Sequence, residues 1–232
     1  MAGAGAGRGV GRGGVHGGAP RVRRRAVCFP GSARCASPLS GRVIEIGAGN
    51  GLDFARCPAT VSEVVAIEPE RLLRPSAVNA AFRADVPVDV VPGAAEALPV
   101  KSEAFDAAVV SLVLCSVRDL RRSLAEIRRV LRPGGTLRFF EHGVGGGRVT
   151  RVTQRVADAT VWPLRLGGCH SARDPIGLMR DAGLEVGPYR HLVVPPAGPR
   201  VPSSHHVLGA ARRPELSGPE GGGGGAEDPA GR

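Results

Sequence analysis

Short apolar runs alternate with amphipathic or polar stretches from Gly41 to about Arg212, and this spacing predicts alternating strands and helices. Strand-like runs fall at 42–46, 63–67, 88–91, 106–112 and 136–140. The stretch Ala107 to Leu114 is almost continuously apolar, which suits a central strand of a parallel sheet buried on both faces. Asp119 is placed to N-cap a helix from Leu120 to Leu131, in which Leu124, Ile127, Val130 and Leu131 share one face; Pro133-Gly134-Gly135 stops it. Asp174-Pro175 opens a further helix, as N-cap and first-turn proline, and Gly183 closes it. Extended runs follow at 190–194 and 205–211, the second with no helix after it.

Outside this region the pattern stops. Residues 1–40 are a Gly/Ala/Arg-rich arm with seven arginines and no acid, so +7 of the net +10 lies there. Residues 213–232 form a Pro/Gly-rich tail. The expected organisation is therefore a disordered arm at 1–40, one α/β domain at 41–212 and a disordered tail at 213–232. A basic arm can touch nucleic acid or an anionic membrane, but all but one of the 31 basic residues are arginine, which points equally to codon bias. The five cysteines are odd in number and form no Cys-x-x-Cys pair, so reduced thiols and a cytoplasmic location are expected. No run approaches the roughly 20 apolar residues of a membrane-spanning helix.

The chemistry enters at Gly41-Arg-Val-Ile-Glu-Ile-Gly-Ala-Gly-Asn-Gly51, a strand running into three alternate glycines. Such a turn lets a ligand lie directly on the backbone, and glycine supplies positive φ. Leu52-Asp-Phe-Ala reads as the opening of a helix whose free N–H groups would face that ligand. A dinucleotide fingerprint wants its third glycine three residues after the second, where Leu52 stands; here it comes early, at Gly51. Glu68 ends the second predicted strand, 21 residues after Gly47, where a carboxylate can accept both ribose hydroxyls of either kind of nucleotide cofactor.

Further motifs follow in order: Gly93-Ala-Ala-Glu-Ala-Leu-Pro99, Phe105-Asp106 and Leu131-Arg-Pro-Gly-Gly135. With the glycine loop and Glu68, they resemble the class I S-adenosylmethionine-dependent methyltransferases of the "type 11" group. Ser111-Leu-Val-Leu-Cys-Ser-Val117, Phe140-Glu-His142, Trp162 and Gly167-Gly-Cys-His170 are similar, more narrowly, to a methyltransferase-like subgroup whose animal members methylate alkyl thiols. The resemblance implies a doubly wound, Rossmann-like sheet of order 3-2-1-4-5-7-6 with the last strand antiparallel.

It also implies S-adenosyl-L-methionine as cofactor and a small-molecule methyl acceptor such as a thiol, with no specific nucleic-acid partner. Glu45, Gly47, Ala48, Gly49, Asn50 and Gly51 would hold the methionine end of the cofactor, Glu68 and Pro69 the ribose, and Ala95 and Glu96 the adenine edge, with Ser111 and Leu112 completing the site. Ala94 stands where relatives often carry an aspartate, so Glu96 or backbone groups would serve the adenine amino group. Methyl transfer from a sulfonium needs alignment more than a base; His142 and His170 are the candidate catalytic groups. Cys169 beside His170 lacks a matching second pair, so no metal is expected. Residues 1–40 do not read as the lid helices of the family. The alternatives are a cofactor-binding remnant without turnover, a gene model with a wrong start, and, further off, an NAD-binding oxidoreductase.

Overall fold

The computed structural model describes residues 39–160 and 162–215, so the arm and most of the tail lie outside the described residues. Seven strands form one sheet: β1 Gly41–Ile46, β2 Val61–Ile67, β3 Val88–Val91, β4 Phe105–Ser111, β5 Leu131–His142, β6 Glu185–Val193 and β7 His205–Arg212. Their order is β3-β2-β1-β4-β5-β7-β6. The first five pair in parallel, and β7 runs antiparallel to both β5 and β6. The expected topology is thus the observed one. The hairpin ending distinguishes it from the all-parallel 3-2-1-4-5-6 order of dinucleotide-binding halves.

Alternation along the central strands builds two cores, one per face. Ile44, Ile46, Ala108, Val110, Leu137 and Phe139 pack with Leu124, Ile127 and Val130 of α2 (Leu120–Val130) and Ile176 and Met179 of α5 (Pro175–Asp181). Val43, Val64, Ala66, Ala107 and Val109 face the other way, onto Phe54 and Ala77 of α1 (Arg74–Ala81). Each fully buried aliphatic side chain contributes about 1.5–3 kcal/mol, so these two layers dominate the stability of the sheet.

Both predicted N-caps are in place. The Asp119 carboxylate accepts from Arg122 N–H at 3.0 Å and that of Asp174 from Gly177 N–H at 3.0 Å. α2 ends one residue before the predicted Leu131, which already opens β5. Two expectations are corrected. The helix read from Leu52 onward is only a 3₁₀ turn, Phe54–Arg56, because Cys57 turns extended at φ −65°, ψ 129°. The strand predicted through Leu112 ends at Ser111, since Leu112 takes the left-handed region at φ 55°.

Three helices had no counterpart in the sequence reading: α1, α3 Arg148–Asp158 and the short α4 Trp162–Arg165. α3 buries Gln154 and leaves Val149, Val152 and Val156 exposed. The Gln154 amide ties distant segments together, donating to the carbonyls of Gly143, Ser171 and Pro202 and accepting from Gly145 N–H. It thereby anchors the 143–147 and 167–173 loops at one end of the sheet.

Candidate active site

Because β1 to β5 are parallel, their C-terminal ends share one edge, and the glycine loop, Glu68, the 94–97 turn, Ser111 and His142 each lie at one of those ends. At the end of β1, Gly47, Gly49 and Gly51 all have positive φ, of 72°, 61° and 74°. The three are not equivalent. A Cβ on Gly47 would overlap the Val113 side chain, and one on Gly51 would meet Phe54 and Ala80. A Cβ on Gly49 would meet no atom within 4 Å. Gly47 and Gly51 therefore serve packing, and Gly49 borders open space, where a ligand can approach the backbone.

Glu68, at the end of β2, is almost fully buried, with 3% exposure. Its carboxylate accepts from Gly49 N–H at 2.6 Å and from Glu70 N–H at 2.8 Å. It shapes the glycine loop directly. Ionised carboxylates have about four acceptor positions, so two bonds leave capacity for ribose hydroxyls. At the end of β4, Ser111 Oγ is buried without a hydrogen-bond partner among the described residues. Leu112 beside it holds a strained positive φ, a feature that collects at ligand sites. The open ground at Gly49, the unsatisfied Ser111 hydroxyl and the residual capacity of Glu68 fit a bound nucleoside with a polar tail.

The remaining predicted cofactor residues separate. Glu45 and Ala48 are buried in the β1 strand and loop, Asn50 is exposed at the loop tip, and Pro69 is exposed just after Glu68. Ala95 is buried within the tight 94–97 turn, closed by Ala97 N–H donating to the Ala94 carbonyl at 3.1 Å. The Glu96 carboxylate instead accepts from Arg118 N–H at 2.8 Å, just ahead of α2. Its side chain holds the approach to that helix.

A second cluster at this edge is assembled from three segments. Glu141, fully buried at the end of β5, accepts from the N–H groups of Val113, Leu114 and Cys115 at 2.8, 3.0 and 3.3 Å. Burial raises its pKa above the usual carboxylate range. The next residue, His142, places Nδ1 3.1 Å from Cys169 Sγ. The Cys115 thiol is pushed well above the ordinary cysteine range, first by its hydrogen bond with Cys169 and then by burial, so in this state it is a thiol and not a nucleophile. His206 stacks on Phe140 with centroids 4.8 Å apart and lies 4.7 Å from the His142 ring. Burial, and then the neighbouring His142, lower its pKa to about 4, so it is neutral near pH 7.

His170 is not in this cluster. Its Nδ1 faces Asp158 at 3.9 Å while its backbone N–H donates to the Cys115 carbonyl at 2.8 Å. The sequence reading grouped Cys169 with His170; the structure groups it with Cys115 and His142. A signal was available, since Cys115, His142 and Cys169 all lie in the narrower resemblance segments, but their convergence needed the fold. A separate cavity of about 490 Å³ lies between the 143–146 loop, α3, α5 and β6, lined by Arg151, Arg155 and Arg180 among others. None of the predicted cofactor residues lines it.

A family profile described as "Methyltransferase domain" matches residues 44–139, from β1 through most of β5. The chain is 32% identical over 180 residues to human thiol S-methyltransferase TMT1B, covering 74% of this chain and 71% of that relative. The chain belongs to the class I S-adenosylmethionine-dependent methyltransferases. Rat thiol S-methyltransferase TMT1B is 44% identical over a shorter stretch of 71 residues, 30% of this chain and 29% of the relative's own length. The fold also matches that of the N-methyltransferase NodS from Bradyrhizobium japonicum in complex with S-adenosyl-L-homocysteine, with TM-score 0.59 and 19% identity over 79% of this chain and 83% of that one. Among the described residues, no helix of this methyltransferase is long and apolar enough to cross a membrane.

Proposed function

We propose that this methyltransferase moves the methyl group of S-adenosylmethionine to the sulfur of a small apolar thiol. The similarity to human thiol S-methyltransferase TMT1B across 71% of that relative carries the choice of acceptor class. The sulfur- and imidazole-lined end of β4 and β5 supports it, because a soft, half-buried site suits a soft nucleophile with an apolar body.

When bound, the cofactor supplies a methyl group on a sulfonium, a carbon already activated for in-line displacement. The chain's own residues then have to orient and exclude water. Gly47 to Gly51 would hold the methionine end along the loop backbone, with Gly49 leaving open space for it. Glu68 holds the loop through Gly49 N–H and offers its free acceptor positions to the ribose. Ser111 Oγ gains a partner it otherwise lacks, and Leu112 turns the chain sharply enough to present it. Glu141 fixes the backbone of 113–115, so that Val113 supports Gly47 while Cys115 faces His142. His142, held between Cys169 and His206, is the group positioned to receive or relay the acceptor proton. His170 acts on position only, through Cys115 and Asp158. Among the described residues Cys57, Cys115 and Cys169 form no disulfide with one another, which fits work in a reducing, cytoplasmic setting.

The test is an acceptor panel of alkyl thiols, phenols and quinols with methyl-labelled donor, read by mass spectrometry, with Gly49→Val as the control for cofactor-dependent transfer. Labelled methyl thioether as the dominant product is expected. Transfer to oxygen or carbon acceptors with none to thiols would replace the acceptor class while leaving the family intact.

A further inference from the structure

The donor atoms of Cys115, His142 and Cys169 all lie within 4.8 Å of one another. The three residues come from the loop after β4, the last position of β5 and the loop before α5. Their convergence is built into the backbone. Glu141 clamps 113–115 by three N–H bonds. Gly167 and Gly168 take φ of 63° and 83° immediately before Cys169, a double left-handed turn that residues with a Cβ rarely adopt. That turn is tied to the first segment by His170 N–H donating to the Cys115 carbonyl at 2.8 Å and by Arg173 donating to the carbonyls of Leu114 and Val117 at 2.8 and 2.7 Å.

We infer that Cys115, His142 and Cys169 bind one zinc ion, leaving the fourth coordination position for the sulfur of the acceptor. The place of the acceptor sulfur rests on the thiol reading above; the metal site does not. Two thiolates and an imidazole form a set that selects zinc among abundant cations, and three protein ligands with one open position is the arrangement of catalytic zinc. Zn–S and Zn–N bonds of about 2.3 and 2.0 Å place tetrahedral ligand atoms roughly 3.5–3.8 Å apart. The present spread of up to 4.8 Å, with Cys169 Sγ already 3.1 Å from His142 Nδ1, is brought to that by small side-chain rotations. Cys115 and Cys169 are buried and His142 is half-buried, so the histidine side is the more open one.

The metal would solve a problem the free cluster leaves. An alkyl thiol is mostly protonated near neutral pH, and with the His142 ring nitrogen on the metal its proton must leave by another route. On coordination the acceptor thiol releases its proton to solvent. The zinc-held sulfur then forms a bond to the methyl carbon while the bond from that carbon to the sulfonium sulfur breaks, its electron pair staying on that sulfur. The products are the methyl thioether, S-adenosylhomocysteine and one proton, with no change in the oxidation state of the metal.

The experiment uses the full chain without a polyhistidine tag, reduced and stripped with a chelator, then titrated with zinc against a chromophoric competitor. One equivalent bound is expected, with affinity falling about 100-fold or more in each of Cys115→Ser, Cys169→Ser and His142→Ala, and unchanged in Cys28→Ser/Cys35→Ser. S-adenosylhomocysteine binding measured on the same variants establishes that they are folded. Cobalt substitution of the wild type needs no variant: tetrahedral ligand-field bands with thiolate charge transfer are expected, and these should shift when an alkyl thiol is added. Absence of stoichiometric zinc in the folded wild type, or isolation of Cys115 and Cys169 as a disulfide with no metal uptake after reduction, would overturn the site. A cobalt spectrum indifferent to thiol would overturn the acceptor position. Metal binding without thiol methylation would instead count against the proposed function and leave the site standing.

Discussion

The two halves of the active edge are built in opposite ways. The cofactor half, at the ends of β1 and β2, is written in nearly consecutive residues: a strand, three glycines and, 21 positions after Gly47, an acid. The proposed acceptor half joins residues 115, 142 and 169 through backbone carbonyls, a buried glutamate and a double-glycine turn. Local sequence can encode the first because a nucleotide cofactor is read largely by backbone. The second depends on side chains from three loops, the parts of this fold that set the substrate. Damage to one half should therefore be separable from damage to the other.

The largest expected effect is Gly49→Val. Its side chain enters the open ground beside the loop at a φ of 61°, so binding of S-adenosylhomocysteine by calorimetry should weaken by more than about 100-fold, some 2.7 kcal/mol. Gly47→Val makes the contrast: its side chain meets Val113, so the loss should appear first in thermal stability. Equal cofactor affinity in Gly49→Val and wild type would remove the cofactor from this loop.

Glu68→Ala comes next. Glu68 stands just after β2, beside the glycine loop. It is buried and satisfies two backbone N–H groups, so chemical denaturation should show a loss of about 2–4 kcal/mol alongside weaker cofactor binding. Glu141→Gln tests the other half. It leaves the amide group of the new side chain facing three buried N–H donors, at a cost of about 1–3 kcal/mol. Thiol turnover should fall while S-adenosylhomocysteine affinity stays within about threefold of wild type.

The smallest effect concerns pH. Glu126 accepts from Arg129 and from Leu98 N–H at 2.8 Å, and these bonds, Arg129 first, lower its pKa. A carboxylate with a depressed folded pKa adds stability above its unfolded pKa, near 4.3, and loses it as pH falls through the folded value. Unfolding free energies of wild type and Glu126→Gln should differ by at most about 1 kcal/mol at pH 7 and converge as the pH falls below the depressed folded value. A difference that grows on acidification would contradict the sign.

Much of the fold was legible because its signals are local and redundant. Asp119 and Asp174 cap the helices they were expected to cap, and each predicted strand run overlaps an observed strand. The strand order came from family resemblance, not from periodicity. The misses have physical causes. Leu52 to Ala55 carry helix-like spacing, but the chain turns extended at Cys57. α3 was missed because its apolar residues, Val149, Val152 and Val156, are β-branched and exposed, while its one buried side chain is the polar Gln154. In the site, Gly49 and Glu68 could be found from spacing, whereas Cys115 and His142 meet only because β4 and β5 are neighbours.

The most direct test measures two quantities on one variant, His142→Ala: the S-adenosylhomocysteine dissociation constant and the rate of methyl thioether formation from an alkyl thiol. If the halves are separable and thiol is the acceptor, affinity stays within about threefold of wild type while the rate falls by about 100-fold or more. A rate equal to wild type, or an affinity that falls in step with the rate, would contradict the division of the edge into a cofactor half and a thiol half.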